Sequence, residues 1–355
     1  MISILRSKTS LLDNIFCRFS QNLGIDLGTA NTLVGVGNIG IVLREPTIVC
    51  RHKKSKTIIA VGTSAKKMLG RVPGTIEVLR PLKDGVVADF ELTHAMLSYF
   101  VGKIRANFGH FSPLGPKMVV GVPTKISKVE RRAVVEAAVK SGARVAYLLD
   151  EPMAAAIGAD LPVTEPVGSM IVNIGGGTSE IAIISLGGVV SGRSLAVAGN
   201  RMDEDIIAYI RSRWGLAIGE VTAEAIKINL GSAYPATTER EMIVRGRDLE
   251  KGIPRTIKVS SGAIREALSP ACATILAAIR QTIEDAPPEL VADILERGVV
   301  LCGGGSQLSG LPKLVSSEVK MPVVLADDPT SCVVLGAMKV VSDRSLLAKV
   351  KLAQA

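Results

Sequence analysis

Three consecutive glycines followed by a threonine and a serine mark the segment with the clearest chemistry, "NIGGGTSEI" at 173–181. Backbone N–H groups in a glycine turn can point together at an anion, because no Cβ blocks its approach. The two hydroxyl groups add further donors. The pattern predicts a phosphate-binding turn between two strands rather than a tight turn alone. Its residues are Asn173, Gly175, Gly176, Gly177, Thr178 and Ser179.

A second hairpin of the same kind lies near the start of the chain, in "GIDLGTANTL" at 24–33. It repeats the order of an apolar residue, Asp or Asn, another apolar residue, glycine and then threonine. Asp26 precedes the turn, where its carboxylate can hold water molecules on Mg²⁺, which usually keeps several of them. The turn itself consists of Gly28, Thr29, Ala30 and Asn31. Two such hairpins predict two like-folded domains whose loops clamp the β- and γ-phosphates of one nucleotide.

A third glycine turn, Gly303, Gly304 and Gly305, precedes a helix that is predicted to begin near Ser306. Helix N-termini favour phosphate, and a run of glycines leaves room for a flat base or a ribose. Each turn alone is a weak signal. Three of them in this order, separated by helical segments, are a much stronger one.

Two other nucleotide-binding motifs are excluded. No G-x-x-x-x-G-K-[ST] occurs, so the chain is not a P-loop protein. A G-x-G-x-x-G is present at Gly35, Gly37 and Gly40, but an extended segment follows it instead of a helix. The basic run "RHKKSK" at 51–56 stands where a ribose-binding acid is expected. This match therefore belongs to a hairpin.

The segments that must position these turns alternate between strand and helix, which predicts an α/β fold. A connector at 162–168 is the best candidate for a boundary between the two domains. Strands are predicted within 23–37, 117–123, 170–190 and 240–261, helices within 92–108, 127–142, 200–214, 220–230 and about 262–285, and strand-to-helix segments at 147–159 and 298–315.

Composition narrows the class of partner. The net charge of +9 favours an anionic one. Aromatic residues make up only 3% of the chain, which argues against single-stranded nucleic acid because that chemistry uses stacking platforms. As a partner for a basic chain with few aromatic residues, an anionic membrane surface fits at least as well as a nucleic acid. The five cysteines are scattered without a CxxC pair, which predicts reduced core thiols in a cytoplasmic protein.

The N-terminal segment contains a predicted amphipathic helix. At about 100° per residue, five apolar side chains share one face. They are Leu11, Leu12, Ile15, Phe16 and Phe19. Such a helix can lie in the headgroup region of a membrane as a monotopic anchor. Packing against the protein's own core is the alternative, and the basic residues Arg6, Lys8 and Arg18 favour lipid.

A Gly- and Pro-rich loop at 107–116 is a second membrane candidate. Phe108, Phe111 and Leu114 are large apolar residues in a turn-forming segment. Folding back onto the domain is the alternative. Together with the N-terminal helix, this loop would provide the two-point attachment that single weak anchors need.

With these motifs in place, the chain resembles the superfamily of actin, Hsp70 and sugar kinases, and within it the MreB family of bacterial actin homologues. The resemblance covers nearly the whole chain. It is carried by "GIDLGTANTLV", "RPLKDGVVADFELT", "VGVPTKISKVERRAVVEAA", "DEPMAAAIGA", "NIGGGTSEIA", "PPELVADILERGVVLCGGGSQLSGL" and "ADDPTSCVVLGAMK". It implies an actin-like ATPase fold of class α/β, in which two similar domains flank a nucleotide cleft and each has a smaller subdomain.

The resemblance also implies domain limits and partners. The segment 1–22 would be the anchor, 23–162 domain I with a small subdomain at about 50–82, and 163–345 domain II with a small subdomain at about 199–262. ATP and Mg²⁺ would be the ligands, and slow hydrolysis the reaction. The protein would form homopolymeric filaments in the cytoplasm, on the inner face of the cytoplasmic membrane. Membrane proteins of the cell-elongation machinery would be partners, and nucleic acid would not.

Carried over residue by residue, the resemblance assigns catalytic and binding roles. Glu151, in "DEPMAAAIG", would position the attacking water with help from Thr178. It starts an alanine-rich segment that ends in glycine, so a rigid helix can present its carboxylate to the cleft. The alternative is a carboxylate that only interacts with the helix dipole. Glu224 and Lys227 would lie near the nucleoside, and Gly303 to Ser306 would close the adenosine pocket.

The chain departs from the family pattern where charge matters most. Asn173 stands where the family usually has Asp, Asp150 replaces a Glu before Glu151, and Asn200 stands where an acid is common. Asn173 can accept a hydrogen bond from a metal-bound water but lacks the charge that offsets Mg²⁺. Charge-assisted hydrogen bonds are about twice as strong as neutral ones, so the loss is on the order of 1–3 kcal/mol, or about 5- to 150-fold in rate. We therefore expect nucleotide binding with slowed hydrolysis.

Three functions compete for this sequence, and a cytoskeletal ATPase is favoured because a filament subunit needs only slow turnover. A metabolic kinase of the same superfamily would need a catalytic Asp poised against a substrate hydroxyl, and the chain has no clear sugar site. An Hsp70-like chaperone would need a separate peptide-binding domain, for which we expect no room before Ala355.

Overall fold

A computed structural model describes residues 22–37, 39–108, 115–235 and 237–350. The strands are β1 (Leu23–Leu27), β2 (Asn31–Val36), β3 (Gly40–Pro46), β4 (Val49–His52), β5 (Ile58–Val61), β6 (Ile76–Leu79), β7 (Leu82–Lys83), β8 (Val86–Val87), β9 (Lys117–Val122), β10 (Val145–Asp150), β11 (Ser169–Ile174), β12 (Ser179–Ser185), β13 (Gly188–Leu195), β14 (Leu216–Ala217), β15 (Glu241–Asp248), β16 (Pro254–Ser260), β17 (Val299–Cys302) and β18 (Val323–Leu325).

Helices alternate with these strands, as the α/β prediction required. They are α1 (Thr63–Met68), α2 (Phe90–Phe108), α3 (Lys128–Lys140), α4 (Glu151–Gly158), α5 (Gly199–Trp214), α6 (Glu220–Leu230), α7 (Ser261–Glu284), α8 (Pro288–Arg297), α9 (Leu311–Val319), α10 (Cys332–Ser342) and α11 (Arg344–Lys349). A 3₁₀ turn covers Gly304–Gln307.

The two large sheets have the same strand order. In the first half the order is β10-β9-β1-β2-β3, and in the second half it is β18-β17-β11-β12-β13. In each sheet the first strand of the glycine hairpin pairs antiparallel with the second and parallel with a later strand. This repetition confirms the prediction of two like-folded halves. Two further sheets, of β4 to β6 and of β14 to β16, overlap the predicted small subdomains, whose exact limits stay predictions.

A layer of buried side chains from both halves lies between the two large sheets and joins them. It also lies next to the cleft, which Glu151 at the start of α4 lines. Helices α4 and α10 cross there with backbones in direct contact. A Cβ added to Gly336 would lie 1.8 Å from the carbonyl oxygen of Ala154, and one added to Gly158 would lie 1.8 Å from that of Cys332. Only glycine permits such an approach. The alanine-rich sequence of α4 is therefore a packing requirement, and it fixes the position of Glu151 at the start of that helix.

The structure corrects one sequence expectation and limits others. The α-helix after the third glycine turn begins at Leu311 rather than near Ser306, because the intervening residues form the 3₁₀ turn.

By length and composition α7 could cross a membrane, but half of its most apolar stretch is buried and the helix lies in the core of the second half. The predicted anchor helix before residue 22, and Phe111, lie outside the described residues. Phe108 ends α2 and is exposed.

Candidate functional site

The turns of the two glycine hairpins, at 28–31 and 175–178, face each other; they are called the phosphate-type loops below. A Cβ on Gly176 would lie 2.4 Å from the Cβ of Ala30, and one on Gly177 would lie 2.5 Å from Oγ1 of Thr29. Larger residues at these glycines would push the halves apart. The sequence patterns therefore place backbone N–H groups from both halves at the same end of one cleft.

This cleft has a volume of about 470 Å³, within the usual range for ligand sites. The third glycine turn forms another part of its wall. Most of the residues that the sequence singled out line it together. They are Asp26, Gly28, Thr29, Ala30, Asn31, Glu151, Asn173, Gly175, Gly176, Gly177, Thr178, Glu224, Lys227, Gly303, Gly304 and Gly305.

Ser179 and Ser306 do not line the cleft. The hydroxyl of Ser179 donates to the carbonyl of Val197 at 2.6 Å, and that of Ser306 donates to the carbonyl of Gly303 at 2.6 Å. Both side chains are fully buried. Their hydroxyl groups therefore hold the two glycine turns in shape from behind.

The environment of Asp26 suits a residue that lies next to a bound cation. It lies half-buried at the head of the first loop, and within the described residues its carboxylate accepts no hydrogen bond from a side chain. Burial raises the pKa of Asp26 to about 7. A hydrated Mg²⁺ next to it would favour the charged form. The donor set thus fits a metal ion held through water, and the assignment of Asp26 to Mg²⁺ stays a prediction.

Asn173 occupies the matching place in the second hairpin, two residues before its first glycine, and is almost fully buried. Its Oδ1 accepts a hydrogen bond from the Cys302 thiol at 3.6 Å. A Cβ on Gly303 would lie 2.6 Å from the same oxygen. The amide is therefore enclosed by the end of β17 and the third glycine turn, and it brings no charge to the cleft.

Glu151 is the first residue of α4, and its side chain is almost fully buried although it reaches the cleft. Burial raises the pKa of Glu151 well above its ordinary value, and the negative charges of Glu180, Asp26 and Asp150 raise it further. A carboxyl group with a raised pKa is suited to accept a proton near neutral pH. This environment is consistent with the water-positioning role that the resemblance implies.

Glu180 is a buried acid that sequence reasoning did not assign. It lies directly across the hairpin from Asn173 and is fully buried. Its carboxylate accepts hydrogen bonds from the hydroxyl of Ser194 at 2.5 Å and from the backbone N–H of Thr124 at 3.4 Å. Burial raises its pKa despite these bonds. The signal in the sequence was a lone glutamate in an otherwise apolar strand, since a charge in that place is costly without a purpose.

A tight turn between β7 and β8 also touches the first loop. The backbone N–H of Gly85 donates to Oγ1 of Thr29 at 2.8 Å. Gly85 has a φ of 80°, and a Cβ there would lie 2.5 Å from Pro123 and 3.0 Å from Thr178. This turn therefore contacts both phosphate-type loops. The dipeptide Asp84-Gly85 was its sequence signal.

Ion pairs close the other end of the cleft. Lys66 on α1 pairs with Glu224 on α6 at 2.9 Å, and Arg80 pairs with Glu220 at 2.9 Å. Both pairs join the first half to the second. Glu224 thus has a cross-cleft partner that the sequence did not reveal.

Lys227 is held inside the second half. Its ammonium group pairs with Asp203 at 2.8 Å and donates to the carbonyl of Gly199 at 2.8 Å. These contacts fix the side chain at the cleft wall, near the place where the resemblance puts the nucleoside.

Known proteins resemble this chain over nearly its whole length. The family model described as MreB/Mbl protein matches residues 20–349. The cell shape-determining protein Mbl of Bacillus subtilis (strain 168) is 47% identical over 334 residues, which cover 94% of this chain and 99% of the relative. The cell shape-determining protein MreB of Escherichia coli (strain K12) is 50% identical over 325 residues, covering 90% and 93%.

A solved structure extends the likeness to three dimensions. The crystal structure of MreB5 of Spiroplasma citri bound to AMPPNP matches with a TM-score of 0.86 and 34% identity. The match covers 93% of this chain and 97% of that one. The actin-like fold implied by the sequence motifs is therefore confirmed.

Proposed function

The chain belongs to the MreB/Mbl family of actin-like ATPases, and from that premise we propose that it binds ATP with Mg²⁺ and polymerises into filaments that direct cell shape and cell-wall elongation. The observation that carries this proposal is the cleft, where two glycine loops from like-folded halves and a third glycine turn converge. A relative with the same fold binds the ATP analogue AMPPNP.

In this proposal the phosphates lie between the two loops. Backbone N–H groups of 28–31 and 175–178 donate to the β- and γ-phosphates, with hydroxyl donors from Thr29 and Thr178. The glycines at 303–305 leave room for the adenosine, next to Glu224 and Lys227. Mg²⁺, when bound, would neutralise phosphate charge, and Asp26 would hold it through water.

Hydrolysis then depends on Glu151. Its carboxylate orients a water molecule toward the γ-phosphate and accepts a proton from it, while the hydroxyl of Thr178 helps to place that water. Asn173 cannot supply the charge that a carboxylate would bring to the metal side of the cleft. We propose that turnover is slow for this reason, by the 5- to 150-fold estimated above from the strength of a charge-assisted hydrogen bond.

Filament and membrane functions complete the proposal. A nucleotide that contacts both halves changes the angle between them, and this angle alters the contacts between subunits. The amphipathic pattern predicted for the N-terminal segment, the apolar residues of the Gly- and Pro-rich sequence at 107–116 including the exposed Phe108, and the net charge of +9 support attachment to an anionic inner-membrane surface. The protein would then be cytoplasmic and peripheral, with membrane proteins of the elongation machinery as partners.

Co-sedimentation with liposomes tests this proposal. Purified full-length protein is mixed with Mg²⁺ and either ATP, ADP or no nucleotide, and then with anionic or neutral vesicles. We expect filaments that depend on ATP and bind anionic vesicles preferentially. A protein that stays monomeric with ATP under all these conditions, but releases ADP only when sugars are added, would instead be a metabolic kinase.

A further inference from the structure

A largely buried ion pair joins the two helices that form one wall of the cleft. Oδ1 of Asp203 on α5 lies 2.8 Å from the ammonium group of Lys227 on α6, and the two side chains are only 14% and 16% exposed. Both residues line the cleft. Burial raises the pKa of Asp203, and the charge of Lys227 opposes this rise. Because charges withdrawn from water are costly unless they are paired, each side chain fixes the position of the other.

The ammonium group of Lys227 keeps one donor for a ligand. It has three N–H groups. One is directed to Asp203, and a second donates to the carbonyl of Gly199 at 2.8 Å. Across the described ranges of the chain, the structure gives the group no third acceptor. Because Lys227 lines the cleft, the remaining N–H can meet a molecule bound there.

Gly199 connects this ammonium group to the second phosphate-type loop. Its N–H donates to the carbonyl of Gly175 at 3.1 Å, and the N–H of Asn200 donates to that of Gly176 at 2.7 Å. A Cβ on Gly199 would lie 3.3 Å from the Gly175 oxygen and 3.4 Å from Nζ of Lys227. The start of α5 is thus packed between the loop and the ammonium group, so a shift of Lys227 would also disturb the loop.

The position of Lys227 along the cleft indicates which part of a nucleotide it meets. The C-terminal end of α6 packs against the segment after the third glycine turn, since a Cβ on Gly231 would lie 2.8 Å from the side chain of Leu308. Lys227 precedes that end by one helical turn, and its ammonium group adjoins the start of α5. It therefore lies between the turn proposed for the adenosine and the loop proposed for the phosphates. The ribose of a nucleotide joins these two parts.

Glu224 is an alternative partner for Lys227. It stands three residues earlier on α6, where side chains of a helix are neighbours, and it also lines the cleft. In the structure Glu224 instead pairs with Lys66 of the other half at 2.9 Å. The charge of Asp203 thus keeps Lys227 on the side of α5. Without that charge, we expect the ammonium group to turn toward Glu224 and away from a ribose.

We propose that Asp203 is a positioning residue for the nucleoside, which holds Lys227 so that the free N–H of its ammonium group donates to a ribose hydroxyl. Asp203 acts through Lys227 and does not itself touch the nucleotide. The inference rests on the proposed nucleotide function and extends it to a residue that the sequence motifs did not single out.

Nucleotide binding by the full chain tests this role. Calorimetry with Mg²⁺ compares ADP with 2′,3′-dideoxy-ADP, which lacks both ribose hydroxyl groups. In the wild type we expect ADP to bind about 10-fold more tightly, equivalent to about 1.4 kcal/mol. Asp203→Asn should lose most of this preference, because it weakens the binding of ADP alone. A variant that weakens both nucleotides equally, as general damage to the fold would, or that weakens neither, would overturn the proposal.

Asp205→Asn is the matched control. Asp205 lies on the same helix, its side chain is also 14% exposed, and it pairs with Arg201 at 3.0 Å without lining the cleft. The control removes the same charge from α5 and should keep the wild-type preference for ADP. An equal loss of preference in both variants would mean that the charge of the helix matters and the pair with Lys227 does not.

Lys227→Met shows whether Asp203 acts through the ammonium group. We expect this variant to lose the preference for ADP, and Asp203→Asn to change it no further when the two are combined. A further loss in the double variant would show that Asp203 contacts the nucleotide itself, which contradicts a positioning role. A wild type that binds neither nucleotide would refute the nucleotide function as well. A wild type that binds both equally tightly would overturn only the roles of Asp203 and Lys227.

Discussion

The two glycine hairpins share strand order, register and turn, yet they place their acidic group on opposite strands. In the first hairpin Asp26 lies across from Leu33, and in the second Asn173 lies across from Glu180. Asp26 and Asn173 each precede the first glycine of their turn by two residues. The two hairpins therefore share a backbone scaffold, but the acidic side chain lies on the first strand in one hairpin and on the second strand in the other.

This difference changes what each half can give to a ligand. Asp26 stands at the loop head, with no hydrogen-bond donor to its carboxylate among the described side chains, and it reaches the cleft. Glu180 is fully buried, and its two oxygen atoms are engaged by Ser194 and Thr124. In the proposed function the first hairpin would therefore hold the metal ion, whereas the second would mainly position backbone donors.

The largest effect is expected from breaking the contact between the two loops. In Gly177→Val the new side chain would collide with Thr29, since even a Cβ would lie 2.5 Å from its Oγ1. Overpacking of this kind costs about 3 kcal/mol, or roughly 100-fold in affinity. Calorimetry with AMPPNP and Mg²⁺ measures the loss. Gly102→Ala, where a Cβ meets nothing within 4 Å, is the control and should bind normally.

A somewhat smaller loss is expected when the first hairpin is made to resemble the second. Asp26→Asn removes the charge at the loop head while keeping its shape. Hydrogen bonds to charged groups contribute about 1.5–3 kcal/mol, so Mg²⁺-dependent AMPPNP affinity should fall about 10- to 100-fold. Affinity measured in EDTA should change much less. An equal loss with and without Mg²⁺ would show that Asp26 shapes the loop and does not serve the metal.

The buried acid of the second hairpin predicts a pH-dependent effect on stability. Burial raises the pKa of Glu180 from its ordinary value of 4.5. The unfolded chain ionises at the ordinary value, so the wild type loses stability as pH rises from there through the folded-state pKa. Glu180→Gln does not ionise. Its free energy of unfolding relative to the wild type should therefore rise with pH over that interval.

Urea denaturation of the nucleotide-free proteins at several pH values measures this slope. The lost or altered hydrogen bonds to Ser194 and Thr124 add an offset that does not depend on pH. A difference between the two proteins that stays constant from pH 4 to pH 8 would mean that Glu180 is already ionised without cost. Ser194→Ala is a useful control because it removes one donor but no titrating group.

The smallest effect is expected at the far end of the cleft, where the halves meet through exposed ion pairs. Lys66→Ala removes the pair with Glu224, whose side chain is more than a third exposed. Such pairs contribute about 0.2–1 kcal/mol, so release of a fluorescent nucleotide should accelerate by only about 1.5- to 5-fold. Lys140→Ala, which breaks an exposed pair within one helix, should leave the release rate unchanged. A 50-fold acceleration in Lys66→Ala would show that these pairs dominate closure.

Local sequence patterns predicted the parts of the structure that depend on neighbouring residues. The glycine hairpins, the alanine-rich helix from Glu151 to Gly158 and the long helix α7 follow from turn chemistry and apolar periodicity. The repeated motif also predicted the likeness of the two halves. The helix start near Ser306 was wrong, because Gly303 to Gly305 and Gly310 favour a 3₁₀ turn and a delayed helix.

Contacts between residues distant in the sequence could not be predicted in this way. Nothing near Lys66 indicates Glu224, since this pair is formed only when the two halves dock. The role of Glu180 became visible only when its partners were known, Ser194 on β13 and Thr124 just after β9. The sequence therefore predicted which residue types could do the chemistry, and the fold determined which of them meet.

Phosphate release from ATP and Mg²⁺, compared between the wild type and Asn173→Asp, tests whether the missing charge at position 173 slows hydrolysis. We predict that the substitution raises turnover about 5- to 150-fold, because it returns a charge to the metal side of the cleft. Asn200→Asp, which adds the same charge elsewhere on the cleft wall, should raise it far less. Equal turnover in the wild type and Asn173→Asp would show that the charge at position 173 does not limit hydrolysis and that Asp26 alone suffices for the metal.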